Sequence, residues 1–457
     1  MQPDIDDRYL FFMNHKHRII ATGLFLAIHS LSVHAQEHTT AVNDTLKITL
    51  PEAWQKAEAY SRTIAIKKKA TDIAGEEVKD AKMERLPELG VMGSAEKATN
   101  IPIYGNGIFS KPTSQHEVIH TLYKASADFY LNIYNGNKLN LKIEEDKVLH
   151  QLSGIRQEEA VSQIRYQTAA LFLDLQQAQI FRELILKDIA DQEKQLAEIR
   201  TFHRNGTVLK SDVLRVELDL SKRKLTLVKV ENDILIANQK LNIILGEPDD
   251  QLLRPDYTVM AADTESYKNY LAAALHHSYI YHISEQQTDL SRIHLQQVRA
   301  NVRPKVGLYG DFWYANPQIF LYPYNPSWYS VGIGGVKVSF PISSLYHNMH
   351  KVSAAKLELE KEEETHKDTE DKVRQQVKEA FLRYRESLVQ IDVATTNVTR
   401  AEENARIIKS AYFHQASLVT DLLDADVQLL QTRFELAAAK ILSQNKYYLL
   451  QHITGTL

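Results

Sequence analysis

The chain has no cysteine in its 457 residues. Disulfides, thiolate metal sites and lipid attachment to an N-terminal cysteine are therefore excluded. The fold must be held by packing alone. An excess of one charge is also missing, since 54 Lys and Arg face 58 Asp and Glu, a net charge of −4. With an isoelectric point near 6.5, the chain offers no basic surface for nucleic acid. Beyond residue 35 no apolar run approaches the roughly 18 residues of a membrane helix. The mean hydropathy of −0.34 agrees. Helical membrane spans are excluded, and a β-barrel is not.

What is present begins with residues 13–35, MNHKHRIIATGLFLAIHSLSVHA, a basic start, an apolar run from Ile19 to Ile28, and Val33 and Ala35 before Gln36. This pattern reads as a cleavable export signal. The acidic stretch before Met13 is unusual in such a signal, so Met13 is an alternative start to Met1.

After the signal the chain reads twice. At a constant offset of 209, residues 127–246 align with 336–455 and pair Phe172 with Phe381, Asp212 with Asp421, Leu214 with Leu423 and Gly246 with Gly455. Upstream the offset is 217, pairing Ala57 with Ala274, Ser61 with Ser278, Pro87 with Pro304 and Gly93 with Gly310. The difference, 217 minus 209, is an eight-residue insertion in the first half between Gly93 and Ala127. One architecture built by duplication is implied. The segments are a signal peptide (1–35), a first repeat (36–246), an irregular connector with Pro248 and Pro255 (247–264), and a second repeat (265–457).

Each repeat shows two periodicities. Positions 161, 164, 168, 171, 175, 178, 182, 185, 189, 192, 196 and 199 alternate steps of three and four and are mostly apolar, and the same positions plus 209 keep Val373, Val377, Ala380, Tyr384, Ala394, Ala401 and Ile408. A sustained 3.5-residue period predicts coiled-coil packing of long helices. A helix from Asn137 to Thr201 would be on the order of 100 Å long. Helices from Val208 to Leu245 and from Pro51 to Arg85, end to end, would match it. Strand alternation is clearest at Ile119, Thr121, Tyr123, Ala125, Ala127, Phe129, Leu131 and Ile133. It is long enough for a tilted membrane strand of about 9–11 residues. Pro304–Asn316 and Trp328–Ile342 form the second pair, with an expected bulge at Gly334 and Gly335. Trp313, Trp328, Tyr309, Tyr314 and Tyr329 around them suit an aromatic girdle at a membrane interface.

Four strands leave open edges, which lipid does not tolerate. Chains must therefore pool strands: two would make a nearly filled barrel and three a channel. The export signal, duplicated units, paired helical breaks and the Gly455, Thr456, Leu457 terminus together resemble the TolC family of outer membrane efflux proteins. The most specific elements are the tips FHRNGTVLKSDVL (202–214) and YFHQASLVTDLLDA (412–425), with the RLPELGVMG and VRPKVGLYG entries to the strands. The resemblance implies a mainly α fold with a β-barrel portion. Duplicated helix-strand-strand-helix-helix units would form a trimeric α-helical barrel continued by a shared twelve-stranded transmembrane β-barrel. It implies a passive conduit in the outer membrane, without a cofactor, coupling an inner membrane pump through a periplasmic adaptor to the exterior.

By motif position, the resemblance makes Asp421 and Asp424 an acidic entrance pair. Asp212, Ser211 and Tyr412 match tip residues that hold the entrance closed, with Asp212 and Tyr412 gating it by hydrogen bonding. Two departures stand out. Gly206 keeps the glycine of the first turn while Gln415 replaces that of the second, and Ser417 stands where an arginine serves a closing salt bridge in the family. A looser or differently built lock is expected.

Three other signals compete. His116, Glu117 and His120 spell the zinc-protease pattern HExxH, but that chemistry needs one helical face. Here the pattern runs into a strand, where residues four apart are roughly 13 Å distant. The histidine pairs 276–277 and 347–350 need no metal. A periplasmic coiled-coil adaptor or scaffold would share the heptads and the signal but not the long strands. Small-molecule efflux is the preferred role and type I protein secretion its alternative.

Overall fold

A computed structural model describes residues 45–256, 265–319 and 323–457. The signal segment and residues 257–264 of the connector lie outside these. The first repeat runs β1 (Leu46–Ile48), α1 (Leu50–Tyr60), α2 (Arg62–Met83), β2 (Glu88–Lys97), β3 (Ile101–Ile103), β4 (Ser114–His116), β5 (Thr121–Tyr134), α3 (Lys138–Arg204) and α4 (Lys210–Leu245). Then come β6 (Leu253–Pro255), α5 (Tyr267–His277), α6 (Tyr279–Ala300), β7 (Lys305–Asn316), β8 (Tyr329–Ser339), the short α7 (Ser344–His347), α8 (Met349–Phe413) and α9 (Val419–Thr454). None of the described helices is long and apolar enough to cross a membrane.

The 67 residues of α3 and 65 of α8 make rods on the order of 100 Å. α2 and α4 pack along α3, α6 and α9 pack along α8, and α3 also touches α6 and α9. The heptad residues form the seams: Ile164, Leu175, Ile185, Ile189, Leu196 and Ile199 in α3, and Val373, Val377, Ala380, Tyr384 and Ala394 in α8, are buried. Each long rod thus carries three shorter helices, α1, α2 and α4 on α3, and α5, α6 and α9 on α8.

The helix expected before the strands is in fact two. Ser61 leaves helical geometry with ψ 114° and caps α2 by accepting a hydrogen bond from the Ile64 amide at 3.3 Å. Its repeat partner Ser278 does the same to the backbone, with ψ 121°. Glycines close each repeat against these breaks. Gly246 and Gly455 end α4 and α9 in the left-handed region, both at φ 74°. A Cβ on Gly246 would lie 2.4 Å from the Tyr60 ring, and one on Gly455 2.0 Å from the His277 carbonyl oxygen. The glycine-terminated ends of the repeats therefore answer to close packing as well as to helix termination.

The four long strands form one antiparallel sheet in the order β2-β5-β7-β8, so β5 and β7 join the two repeats. Directly paired residues share a face. One face carries Leu89, Val91, Ala127, Phe129, Leu131, Leu308, Phe312, Val336 and Val338; the other carries Glu88, Lys124, Ser126, Asp128, Asp311 and Lys337. Tyr314 and Trp328 stack 4.8 Å apart at the loop end of the sheet. Among the described residues β2 and β8 have no partner on their outer edges.

Two expectations need correction, and one is filled in. The register of β7 against β8 runs unbroken through Gly334 and Gly335, and the irregularity lies instead at Asn132 and Tyr134 of β5. Tyr309 packs across Gly335 at 3.4 Å from a Cβ position, an ordinary contact distance, so neither a bulge nor a close approach calls for glycine there. The connector is not wholly irregular: β6 pairs in parallel with β1, matching Leu46 to Leu253 and Ile48 to Pro255. The β2–β5 connection, which holds the eight-residue insertion, folds as the small β3–β4 hairpin, and between β7 and β8 the described residues include an antiparallel bridge of Gln318 with Asn325.

Candidate functional site

The two tips are built alike, bond for bond. In the first, the Gly206 amide donates to the His203 carbonyl at 2.9 Å and the Thr207 amide to that of Phe202 at 3.0 Å. In the second, Gln415 donates to Tyr412 at 2.9 Å and Ala416 to Ala411 at 2.8 Å. These are the same positions shifted by 209. Both turns need a left-handed residue, and Gly206 (φ 77°) and Gln415 (φ 61°) supply it. The departure read in the sequence is thus a strained backbone position kept by a side chain that disfavours it. Between the turns, Phe202 and Phe413 meet at 5.6 Å, above a core of Ile199, Val213, Val216, Tyr412, Val419 and Leu422.

The predicted carboxylates separate by environment. Asp421 is the third residue of α9, and its Oδ2 accepts from the Leu418 amide and from the Ser417 hydroxyl, each at 3.1 Å. This is helix capping, and Ser417 serves it from within the same tip. Asp424 lies one turn further along, exposed like Asp421. Asp212 is half-buried at the start of α4, with the Ser211 hydroxyl donating to it at 3.5 Å. Tyr412 is buried, its hydroxyl finds no hydrogen-bond partner among the described residues, and its pKa is raised by burial and then by the nearby Asp212 charge. The structure therefore brings Asp212 near Tyr412 without joining them by a hydrogen bond. Leu209 and Leu418, equivalent residues that precede α4 and α9, project from the tips at 70% and 69% exposure.

A buried polar network one level above the tips was not anticipated. The Arg223 side chain is 5% exposed and bonds Asp188 of α3 and Asp219 of its own helix. Gln192 and Gln195 of α3 donate to Asp426 of α9 at 2.8 and 2.9 Å. The network thus ties α3 to α4 and to the opposite repeat. Its signal in the sequence was Gln192, one of three polar residues (with Thr168 and Arg182) in the mostly apolar heptad series, together with the i, i+4 pair Asp219 and Arg223.

His116 ends β4 and His120 lies beyond it, with Nδ1 2.9 Å from the Ala98 carbonyl, so HExxH has no helix to act from. Among the described residues no group of three or more histidines or carboxylates is arranged to hold a metal ion.

No protein-family model and no curated protein matches the chain. Its fold does match solved structures. VceC, an outer membrane protein of Vibrio cholerae, superposes with a TM-score of 0.73 at 14% identity, over 89% of this chain and 96% of its own. The CmeC outer membrane channel of Campylobacter jejuni gives 0.72 at 14%, over 89% and 85%. The open-state MtrE outer membrane channel of Neisseria gonorrhoeae gives 0.69 at 14%, over 89% of both chains. Nearly the whole of each channel chain is covered, so this chain has the fold of the outer membrane channels that its sequence resembles.

Proposed function

We propose that the chain is the outer membrane channel of a tripartite efflux system: a homotrimer with a shared twelve-stranded barrel and a helical tunnel, passive and not catalytic. The observation that carries this reading is the sheet. It has one mostly apolar face, a second that carries most of the charged residues beside Met92, Trp313 and Ile333, and, among the described residues, two open edges, β2 and β8. In lipid such a sheet is stable only when closed, and closure needs further copies. Apolar seams on the helices point the same way. Leu214, Leu218, Leu225 and Ile243 of α4, and Leu382, Val389, Val393 and Ile407 of α8, are at least half exposed in one chain. Covering them with a neighbour extends the coiled-coil packing around a cylinder.

The tips form the periplasmic entrance, and the exposed Leu209 and Leu418 suit docking by an adaptor. Three copies of Asp421 and Asp424 place six carboxylates around the mouth, favouring cations. Asp212 and Tyr412 bear on its closure. Small molecules are the preferred cargo, and a secreted polypeptide is the alternative. Fractionation with planar-bilayer recording tests the reading. A heat-modifiable outer membrane oligomer that conducts is expected, and a protein found only in the soluble periplasm would overturn it. Raised conductance in Asp212→Ala is the outcome expected for the gate.

A further inference from the structure

α3 and α8 begin where the sheet ends, and both carry the wrong charge for a helix start. Helix N-termini favour carboxylates; α1, α4 and α9 have them in Glu52, Asp212 and Asp421, whereas α2, α5 and α6 do not. α3 and α8 have no acid in the first turn; Lys138 is the first residue of one and Lys351 the third of the other. Both lysines line a single cavity of about 420 Å³, with Lys305 and His347 beside them. No carboxylate lines it. Among the described residues none of the three lysines has an ion-pair partner. Burial and the neighbouring Lys305 ammonium hold the Lys138 amine below its ordinary pKa.

Lys138 also borders a second cavity that contains Glu84, Glu145 and Asp146. There Glu84 is paired with Lys142, and Glu145 accepts from Gln297 at 2.6 Å. None of these acids, Asp146 included, forms an ion pair with Lys138, whose charged neighbour is Lys305. The first turns of two long helices, three lysines without an ion-pair partner, and Ser339 and Ser344 therefore border one cavity whose described lining includes no carboxylate.

We propose that this cavity, at the junction of sheet and helices, binds a phosphate group. Oxygen-rich anions are what helix N-termini and lysines jointly recognise. The surroundings favour a phospholipid as the carrier: Phe340, Ile342, Leu345, Tyr346 and Met349 are 50–68% exposed and follow directly along the chain, a place for acyl chains beside the headgroup. The phosphate site itself does not depend on the channel reading, because a free phosphate ion would meet the same groups.

The test uses the full-length oligomer, delipidated in nonionic detergent and followed by native mass spectrometry and thermal denaturation. Inorganic phosphate and dioleoylphosphatidylglycerol are titrated in separate arms. Saturable binding in at least one arm is expected, and K138Q/K305Q/K351Q should weaken it by about tenfold or more. Phosphatidylglycerol alone would name the lipid as the source; inorganic phosphate with similar affinity would name the free anion. The control K67Q/K68Q/K69Q changes net charge equally at a distance and should bind as the native protein does. If the triple variant does not assemble, Lys351→Gln alone should still weaken binding about threefold. No saturable binding in either arm, or equal weakening by the control, overturns the proposal.

Discussion

Gln415→Gly should stiffen the second tip. Gln415 sits at φ 61° where the first tip has Gly206 at φ 77°. A left-handed L-residue costs roughly 1–2 kcal/mol, and glycine avoids this while losing about 0.5–1 kcal/mol more chain entropy. The net gain is about 0.5–1 kcal/mol. Gly206→Ala is the reciprocal case, because a Cβ there would meet nothing within 4 Å and only the backbone angle opposes it. It should lose a similar amount. Amide hydrogen exchange reads both, at the Gln415 and Ala416 amides that close the second turn and at the Gly206 and Thr207 amides that close the first. Protection should rise about two- to fivefold in Gln415→Gly and fall by as much in Gly206→Ala. Unchanged exchange in both variants would refute the argument that backbone strain separates the tips.

Gly455→Ala places a Cβ 2.0 Å from a backbone carbonyl oxygen at φ 74°, and should cost roughly 3 kcal/mol or more, seen as a lowered denaturant midpoint. Arg223→Met leaves Asp188 and Asp219 buried without their cation, and should cost roughly 3–5 kcal/mol by the same measurement. His452 stacks on Tyr166 at 5.5 Å with Nδ1 2.8 Å from the Ser162 hydroxyl, and burial lowers its pKa from 6.5. A depressed value means that the unfolded chain binds the proton first, so the stability His452 contributes is present above pH 6.5 and is lost as pH falls through the lower folded value. Thermal melting followed from pH 7.5 to about 5 should show this loss, and His452→Gln should flatten it.

The repeat was legible because packing constrains the same positions in both copies. Ser61 and Ser278 align at one offset and Gly246 and Gly455 at the other, and the structure sets each glycine against the residue just before the corresponding serine. The long helices were legible from their period, and the strand faces from alternation. What escaped the sequence was tertiary. A serine break within a helical pattern carries no periodic signal, and the parallel β1–β6 pair spans some two hundred residues in three-residue strands. The glycines of β8 suggested a bulge, but the backbone there stays in register with β7, and a missing side chain alone does not tell the two apart. In the tips, motif position placed Asp421 and Asp212 correctly on the helices but could not tell a capping carboxylate from one beside a buried tyrosine.

The tips share a fold but not an interior, and the difference assigns them different mobility. In the first hairpin Ile185, Ile189, Leu196 and Ile199 are buried, and Arg223 ties α4 to Asp188. At the equivalent positions of the second stand Ala394, Val398, Ala405 and Ile408, with Asn397 for Asp188 and Thr432 for Arg223. Smaller side chains bury less apolar area, at roughly 25 cal/mol per Å², and no buried ion pair replaces the lost contacts. Strain at Gln415 acts on that same hairpin. All three effects lower the free energy of local opening at the α8–α9 end relative to the α3–α4 end. Amides of residues 398–412 should therefore exchange faster than those of 189–203. Equal protection of the two segments would mean that contacts between chains, and not the interior of each hairpin, hold the tips in place.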